Sequence, residues 1–239
     1  MAPGTVHLNS PVCAIEQLGK NQVLVTTYGG RKFKARRVIV SIPTPLYRTI
    51  AFQPPLPADK QEYADSTFLG DYAKFTVVYK EPWWRKLGLS GSFSDLGGPV
   101  VFSRDTSSDQ DNQFSMTFFV VGNDCRKWSK LSTTDRRNVI LGQCARMVGE
   151  SGRKYVYDYL DTKETIWMSE PWSAGGPVPC PGPGTWGRLG DALREPFRNI
   201  HFVGTETAFL WKGYMEGAVT SGERGAREIV QALKSTAKL

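Results

Sequence analysis

Three stretches of this 239-residue chain gather residue types that could do chemistry. The first is Phe202-Val203-Gly204-Thr205-Glu206-Thr207, followed by Trp211-Lys212-Gly213-Tyr214-Met215-Glu216-Gly217-Ala218. A short apolar run leads into glycines 204, 213 and 217, which let a ligand approach the backbone, and then into a helix start whose N–H groups and positive dipole end suit an anion. A plain packing turn between strand and helix would use the same glycines. The second stretch is Tyr72-Ala73-Lys74-Phe75-Thr76-Val77-Val78-Tyr79. If Lys74 is buried in that strand, its ammonium must lose its proton or find a partner; if its face is exposed, it is a solvated lysine. The third is Ile166-Trp167-Met168-Ser169-Glu170-Pro171-Trp172, where Trp167 offers either a flat apolar wall or ordinary core. No nucleophilic triad and no acid pair is evident.

The remaining composition narrows the partners. Thirty Lys and Arg against 23 Asp and Glu give a formal charge of +7, but the cations are scattered rather than gathered into a stripe, so nucleic-acid binding is not expected. Cys13, Cys125, Cys144 and Cys180 stand far apart without a CxxC pair, and His7 and His201 are not grouped with them, so no metal site is expected. No run approaches the ~20 apolar residues that span a bilayer. The start lacks the basic and apolar regions of a signal peptide, and the end, Lys234 to Leu239, is no apolar anchor. The expectation is a soluble intracellular protein with reduced thiols, cytoplasmic or peroxisomal, the compartment being left open.

These stretches must be positioned by a mixed framework. Val6 to Ile15, Gln22 to Tyr28 and Phe33 to Ile42 read as an antiparallel meander, with Val38 to Ile42 as a strand buried on both faces. A proline-rich crossing at Phe52 to Pro57 precedes a change of domain near residue 60. Strands are expected at 74–79, 99–103 and 114–121, the last two flanking a polar loop from Asp105 to Asn112, and a helix from Thr133 to about Gly149. Glycine and proline between Ser173 and Gly187 exclude regular structure there. Ile200 to Val203 is a buried strand, and the last helix runs from about Gly213 to Leu233. The fold class is α/β of the mixed α+β kind.

The run from Phe202 through Met215 to Arg224 resembles, across some twenty-five ordered positions, the carboxy-terminal signature of the flavin-containing monoamine oxidases. The resemblance implies FAD. It places the Gly204-Thr205-Glu206 turn at the cofactor, with Glu206 near the ribityl-pyrophosphate part, Gly213 and the Met215 amide at the isoalloxazine, and Tyr214 as one wall of an aromatic cage around the substrate amine. Lys74 would hold a water at flavin N5, and Trp167 would pack beside the ring. Val12, in Ser10-Pro11-Val12, would touch the adenine end. Where some members carry a cysteine bonded to the flavin and a second cage tyrosine, this chain has Gly176 and Pro177, so FAD is expected to be non-covalent; Cys180, four residues on, would offer a bond only in a shifted register.

The family also has a GxGxxG loop that cradles the pyrophosphate, and none of the 24 glycines here forms it. The expected architecture is therefore a partial FAD-binding domain, residues 1–62 and 166–239, with an inserted mixed-sheet substrate domain at 63–165. The implied reaction is oxidation of a small primary or secondary amine to an imine, hydrolysed to an aldehyde, with O2 reduced to H2O2. An amino-acid or polyamine oxidase of the wider superfamily would need carboxylate-binding or acidic pocket residues. The competing reading is a truncated, non-catalytic remnant, or one half of a split flavoenzyme acting as a binding or scaffold protein. Its exposed apolar surface would lead to self-association or to docking of a complementing amino-terminal half.

Overall fold

Runs of apolar residues, Val12 to Ile15 and Val23 to Val25, make Val12–Gly19 (β1) and Gln22–Thr27 (β2) an antiparallel pair, with Ile15 and Val23 buried. In the computed structural model, which describes residues 2–236, they form the middle of a four-stranded sheet. Lys32–Ala35 (β3) adds antiparallel to β2, and Ala51–Gln53 (β5) adds parallel to β1. Val38–Val40 (β4) leaves the meander expected for it and pairs parallel with a strand from the far end of the chain. A helix that the sequence did not announce, Ala58–Ser66 (α1), buries Lys60, Tyr63 and Ala64. Its apolar residues are too few for a helical stripe.

After Thr67–Gly70 (β6) the chain enters a second unit, residues 70–177. Tyr72–Tyr79 (β7) buries Ala73, Phe75, Val77 and Tyr79 on one face. Trp83–Lys86 (α2), Val100–Asp105 (β8), Phe114–Val121 (β9), Gly122–Trp128 (α3), Thr133–Val156 (α4) and Asp161–Ile166 (β10) follow. The antiparallel sheet has the order β10-β7-β9-β8. Its buried face shares a core with Ile140, Leu141 and Cys144 of α4. The helix starts where the Ser132 hydroxyl accepts the Asp135 N–H at 3.1 Å, a side-chain N-cap. It runs past its expected end: Gly149 breaks it at φ 67°, and helix resumes to Val156.

Gln143 of α4 is fully buried, and it closes the start of β8 by accepting from Val100 N–H at 2.9 Å and donating to Val100 C=O at 3.0 Å. Gln143→Leu should leave both backbone groups unpaired and cost about 2 kcal/mol in denaturant unfolding. An unchanged midpoint would show that the sheet edge finds other partners.

The return to the first unit corrects one expectation. Gly176–Pro181 (β11), paired with β6, lies inside the segment from which regular structure was excluded, and Thr185–Leu189 (α5) begins inside it. Pro177, Pro179 and Pro181 fall on alternate residues, so the missing donors lie along one edge and the other remains able to pair. Ile200–Phe202 (β12) is the parallel partner of β4 and wholly buried, and Met215–Thr236 (α6) closes the chain. That helix starts two residues later than expected and extends past Leu233.

The two compact units take residues 1–69 with 178–239 and residues 70–177. Their divisions fall at 69/70 and 177/178, against the expected 62/63 and 165/166. Met1 and residues 237–239, at the ends that were read for a leader and an anchor, lie outside the described residues. Among the described residues, no helix is long and apolar enough to cross a membrane, and no group of three His, Cys, Asp or Glu could hold a metal ion.

Candidate functional site

In the first unit, β12 ends at Phe202 and Gly204 adopts φ 133°, a conformation closed to other residues, which swings the chain into the turn Thr205–Thr207. A Cβ on Gly204 would lie 2.7 Å from Glu206 Oε2, and one on Gly217 would lie 2.3 Å from the Trp211 carbonyl and 2.8 Å from Thr205 Oγ1. Both gaps are thus filled by the protein's own atoms, as the packing-turn explanation requires. Gly213 is also in the left-handed region, at φ 82°.

Helix α6 is fastened to β12 from above. Ser221 Oγ accepts the Gly204 N–H at 3.0 Å, and Arg224 donates to Phe202 C=O at 2.8 Å and to Thr207 Oγ1 at 2.9 Å. Arg224 also meets Glu228 at 2.6 Å, and Glu228 meets the buried His201 at 2.9 Å. Thr205 Oγ1 donates to Tyr214 C=O at 2.8 Å, which joins the Gly204-Thr205-Glu206 turn to Gly213-Tyr214-Met215. Those six residues are therefore brought together.

What this cluster presents is chemically specific. The Ala218 N–H donates to Tyr214 C=O, so the N–H groups of Met215, Glu216 and Gly217 precede the regular ladder and stand at the positive end of the helix. Beside them Phe209, Leu210 and Trp211 are exposed, with Tyr214 at 65% and Met215 at 87%. An apolar, aromatic ridge next to the N–H groups of a helix start suits a flat ring that carries negative charge at one edge. Glu206 lies under the turn, buried, its Oε1 accepting the Thr44 N–H at 3.1 Å. Burial pushes its carboxyl above the usual range, against the opposing pull of its backbone hydrogen bonds.

Val12 stands apart from that cluster, half-buried at the start of β1 against the core beneath β12. Lys60 was not singled out from the sequence. It is buried, donates to the carbonyls of Ala192 and, at 3.0 Å, Leu193, and lies 4.0 Å from the Phe202 ring centroid. Burial lowers its ammonium to about 8. Its partners lie some 130 residues away, and no local pattern encodes them. Lys212, over the Trp186 ring, is likewise lowered to about 8, by burial first and Arg194 second.

In the second unit, Lys74 is on the exposed face of β7, so the solvated alternative describes its place in this chain. That face is nonetheless not ordinary surface. Lys74 sits across from Phe119 of β9 and Thr165 of β10, its ammonium 5.7 Å from the Phe119 ring. Phe119 stacks on Phe102 at 4.4 Å and meets Tyr72 at 5.9 Å. The result is an aromatic floor with two cations on it, Lys74 over Phe119 and Arg104 over Phe102 at 5.1 Å. Tyr72 shares the alternation of Lys74 and was legible on that ground, whereas Phe102 and Phe119 needed the strand register. Trp167, half-buried, begins the turn Trp167–Ser169, which packs against β7. In the segment of the expected flavin bond, Gly176 is buried, Pro177 is exposed and Cys180 is an exposed free thiol.

Comparison with known proteins bears on this arrangement. The family model described as flavin containing amine oxidoreductase matches residues 1–230. Amine oxidase [flavin-containing] B of Canis lupus familiaris is 36% identical over 230 residues, covering 95% of this chain and 44% of that protein. A probable flavin-containing monoamine oxidase A of Dictyostelium discoideum is 33% identical, covering 95% and 48%. Among solved structures, cyclohexylamine oxidase from Brevibacterium oxydans superposes with a TM-score of 0.87 at 30% identity, covering 95% of this chain and 49% of that one. Putrescine oxidase bound to putrescine gives 0.85 at 29%, with coverages of 95% and 49%. The chain thus spans about half the length of the relatives that it matches.

Proposed function

The chain belongs to the flavin-containing amine oxidoreductase family, whose cofactor is FAD, and from that premise we propose that it supplies the ring-side half of an enzyme oxidising a small primary or secondary amine. The products in this reading are an imine, hydrolysed to an aldehyde, and H2O2 from O2. The observation that carries it is the Thr205–Tyr214 hydrogen bond, which holds the exposed Tyr214 and Met215 at the N-terminal end of α6. That ridge fits the isoalloxazine. The Gly204 to Glu206 turn supports it from below, and Val12 belongs to the adenine end. When bound, FAD takes up the hydride equivalent from the carbon beside the amine.

The chain's own residues then have distinct tasks. The first N–H groups of α6 stabilise negative charge at the ring edge. Tyr214 is a wall against which a neutral amine is oriented, and Trp167, within the second unit, offers a flat apolar surface of its own. Lys74, free of ion pairs among the described residues, can hold a water by donation. With Gly176 and Pro177 where a linking cysteine and a cage tyrosine would stand, the cofactor is held without a covalent bond.

A second reading is favoured by a specific feature. Among the described residues the parallel pair β4 and β12 has only two strands, although parallel sheets are normally larger and covered on both faces. A separate amino-terminal half bearing the pyrophosphate cradle would complete it, and without such a half the chain would be a non-catalytic binding protein. The test is the near-visible flavin absorbance of the chain after mixing with excess FAD and gel filtration. Flavin eluting with the protein supports the first reading and leads to peroxide assays with amines. A folded but colourless chain would show that ring-side contacts alone do not hold FAD, leaving the second.

A further inference from the structure

At the end of β12 opposite Gly204, three segments of the first unit meet. Gln17, Gly19 and Lys20 come from the β1–β2 hairpin, Arg37 directly precedes β4, and Arg198 and Asn199 directly precede β12. Together they line a cavity of about 540 Å³. This is within the range of small-molecule sites, roughly 300–1,000 Å³. Three of the six carry positive charge, none is acidic, and among the described residues none of the three cations makes an ion pair.

The side-chain acceptors of the lining are already committed. Gln17 Oε1 accepts the Asn199 N–H at 2.9 Å, and Asn199 Oδ1 accepts from Arg37 Nη1 at 2.7 Å. Asn199 Nδ2 donates to Gly19 C=O at 2.9 Å, and Arg37 Nη1 is further held by Asn21 Oδ1 at 3.1 Å. Because a backbone N–H fixes which end of the Gln17 amide is oxygen, the other end is a donor. That donor, Gln17 Nε2, and Arg37 Nε are both buried without a partner. With the side-chain acceptors committed, what the lining offers a ligand is positive charge, from the exposed Lys20 and Arg198 and from Arg37. Arg198 is held at φ 56°, an unusual conformation for a non-glycine residue.

We propose that this cavity binds a small multivalent oxyanion of the phosphate-ester class, apart from the turn that faces the flavin. Arg37, fixed by its hydrogen bonds to Asn21 and Asn199, supplies a cation at the wall, while Lys20 and Arg198 neutralise charge at the mouth.

The experiment is calorimetric titration of the full chain, with FAD in excess, using inorganic pyrophosphate as the probe. One site per chain is expected, weakened about tenfold or more in Lys20→Gln/Arg198→Gln. Neither replaced side chain is hydrogen-bonded among the described residues, so the variant should melt as the parent does. Lys34→Gln, a charge removed elsewhere on the surface, should leave the affinity unchanged. Adenosine diphosphate then separates the sources: tighter binding than pyrophosphate indicates a nucleotide, and equal binding indicates the phosphate groups alone. No saturable heat, or equal weakening by Lys34→Gln, would overturn the proposal and leave the buried donors to ordered water.

Discussion

Gly217→Ala is expected to unfold at lower denaturant and to lose whatever flavin the parent chain retains. The new methyl carbon would stand 2.3 Å from the Trp211 carbonyl and 2.8 Å from Thr205 Oγ1, and neither atom is the end of a flexible chain. Relief requires moving the Trp211 backbone, already at φ 57°, or breaking the Thr205 bond to Tyr214 that joins the turn to the helix start. Overpacking of this kind costs about 1–3 kcal/mol, and here it falls on the contact that positions the ring-side donors. Gly222→Ala is the control, because a Cβ there meets nothing within 4 Å on the same helix. It should stabilise by up to about 1 kcal/mol from helix propensity alone. Opposite signs for two identical substitutions five residues apart would locate the effect in the turn. Equal shifts in the unfolding midpoint, with flavin retention intact in both, would sink the argument.

The reason Gly217 could be singled out at all is that the site near it is local in sequence. Strand, glycine turn and helix follow one another from Phe202 to Ala218, so spacing alone brings Glu206 and Tyr214 into one neighbourhood. Lys74 was harder. Its strand was plain from alternation, but which face lies outward depends on the pairing of β7 with β9 and β10, and the neighbours that make the face unusual, Phe102 and Phe119, arrive through that register. The parallel pairing of Val38–Val40 with Ile200–Phe202 joins segments 162 residues apart, and the apolar run, read as buried on both faces, was misjudged: Val40 is buried but Ile39 is 42% exposed. The strand Gly176–Pro181 was misread for a definable reason: proline counts against a strand in general, yet three prolines on alternate residues spare one edge. Lys60 was invisible because a polar helix with few apolar residues gives no sign that one of its lysines points into the core.

Lys60 also sets the clearest pH dependence. Its ammonium is lowered to about 8 in the folded chain, burial being the main cause, against an ordinary value of 10.5. Below about pH 8 both folded and unfolded chains carry the proton. Between about 8 and 10.5 the unfolded chain carries it while the folded chain does not, so stability must rise with pH across that window, by about 3 kcal/mol in all. The gain is complete above the unfolded value and is lost as pH falls through the folded one. Lys60→Met should remove this slope whatever its effect on absolute stability, which is set separately by the carbonyls of Ala192 and Leu193 left without their donor. Lys212, also lowered to about 8, titrates in both proteins, so the difference between them isolates Lys60. The measurement is the denaturant midpoint of parent and variant in steps from about pH 7 to about pH 10. Parallel curves would mean that water reaches the ammonium through residues 190–199. The segment leading into β12 would then be open in solution rather than latched by Lys60, and the turn at Gly204 would rest on α6 and on the Thr44–Glu206 hydrogen bond.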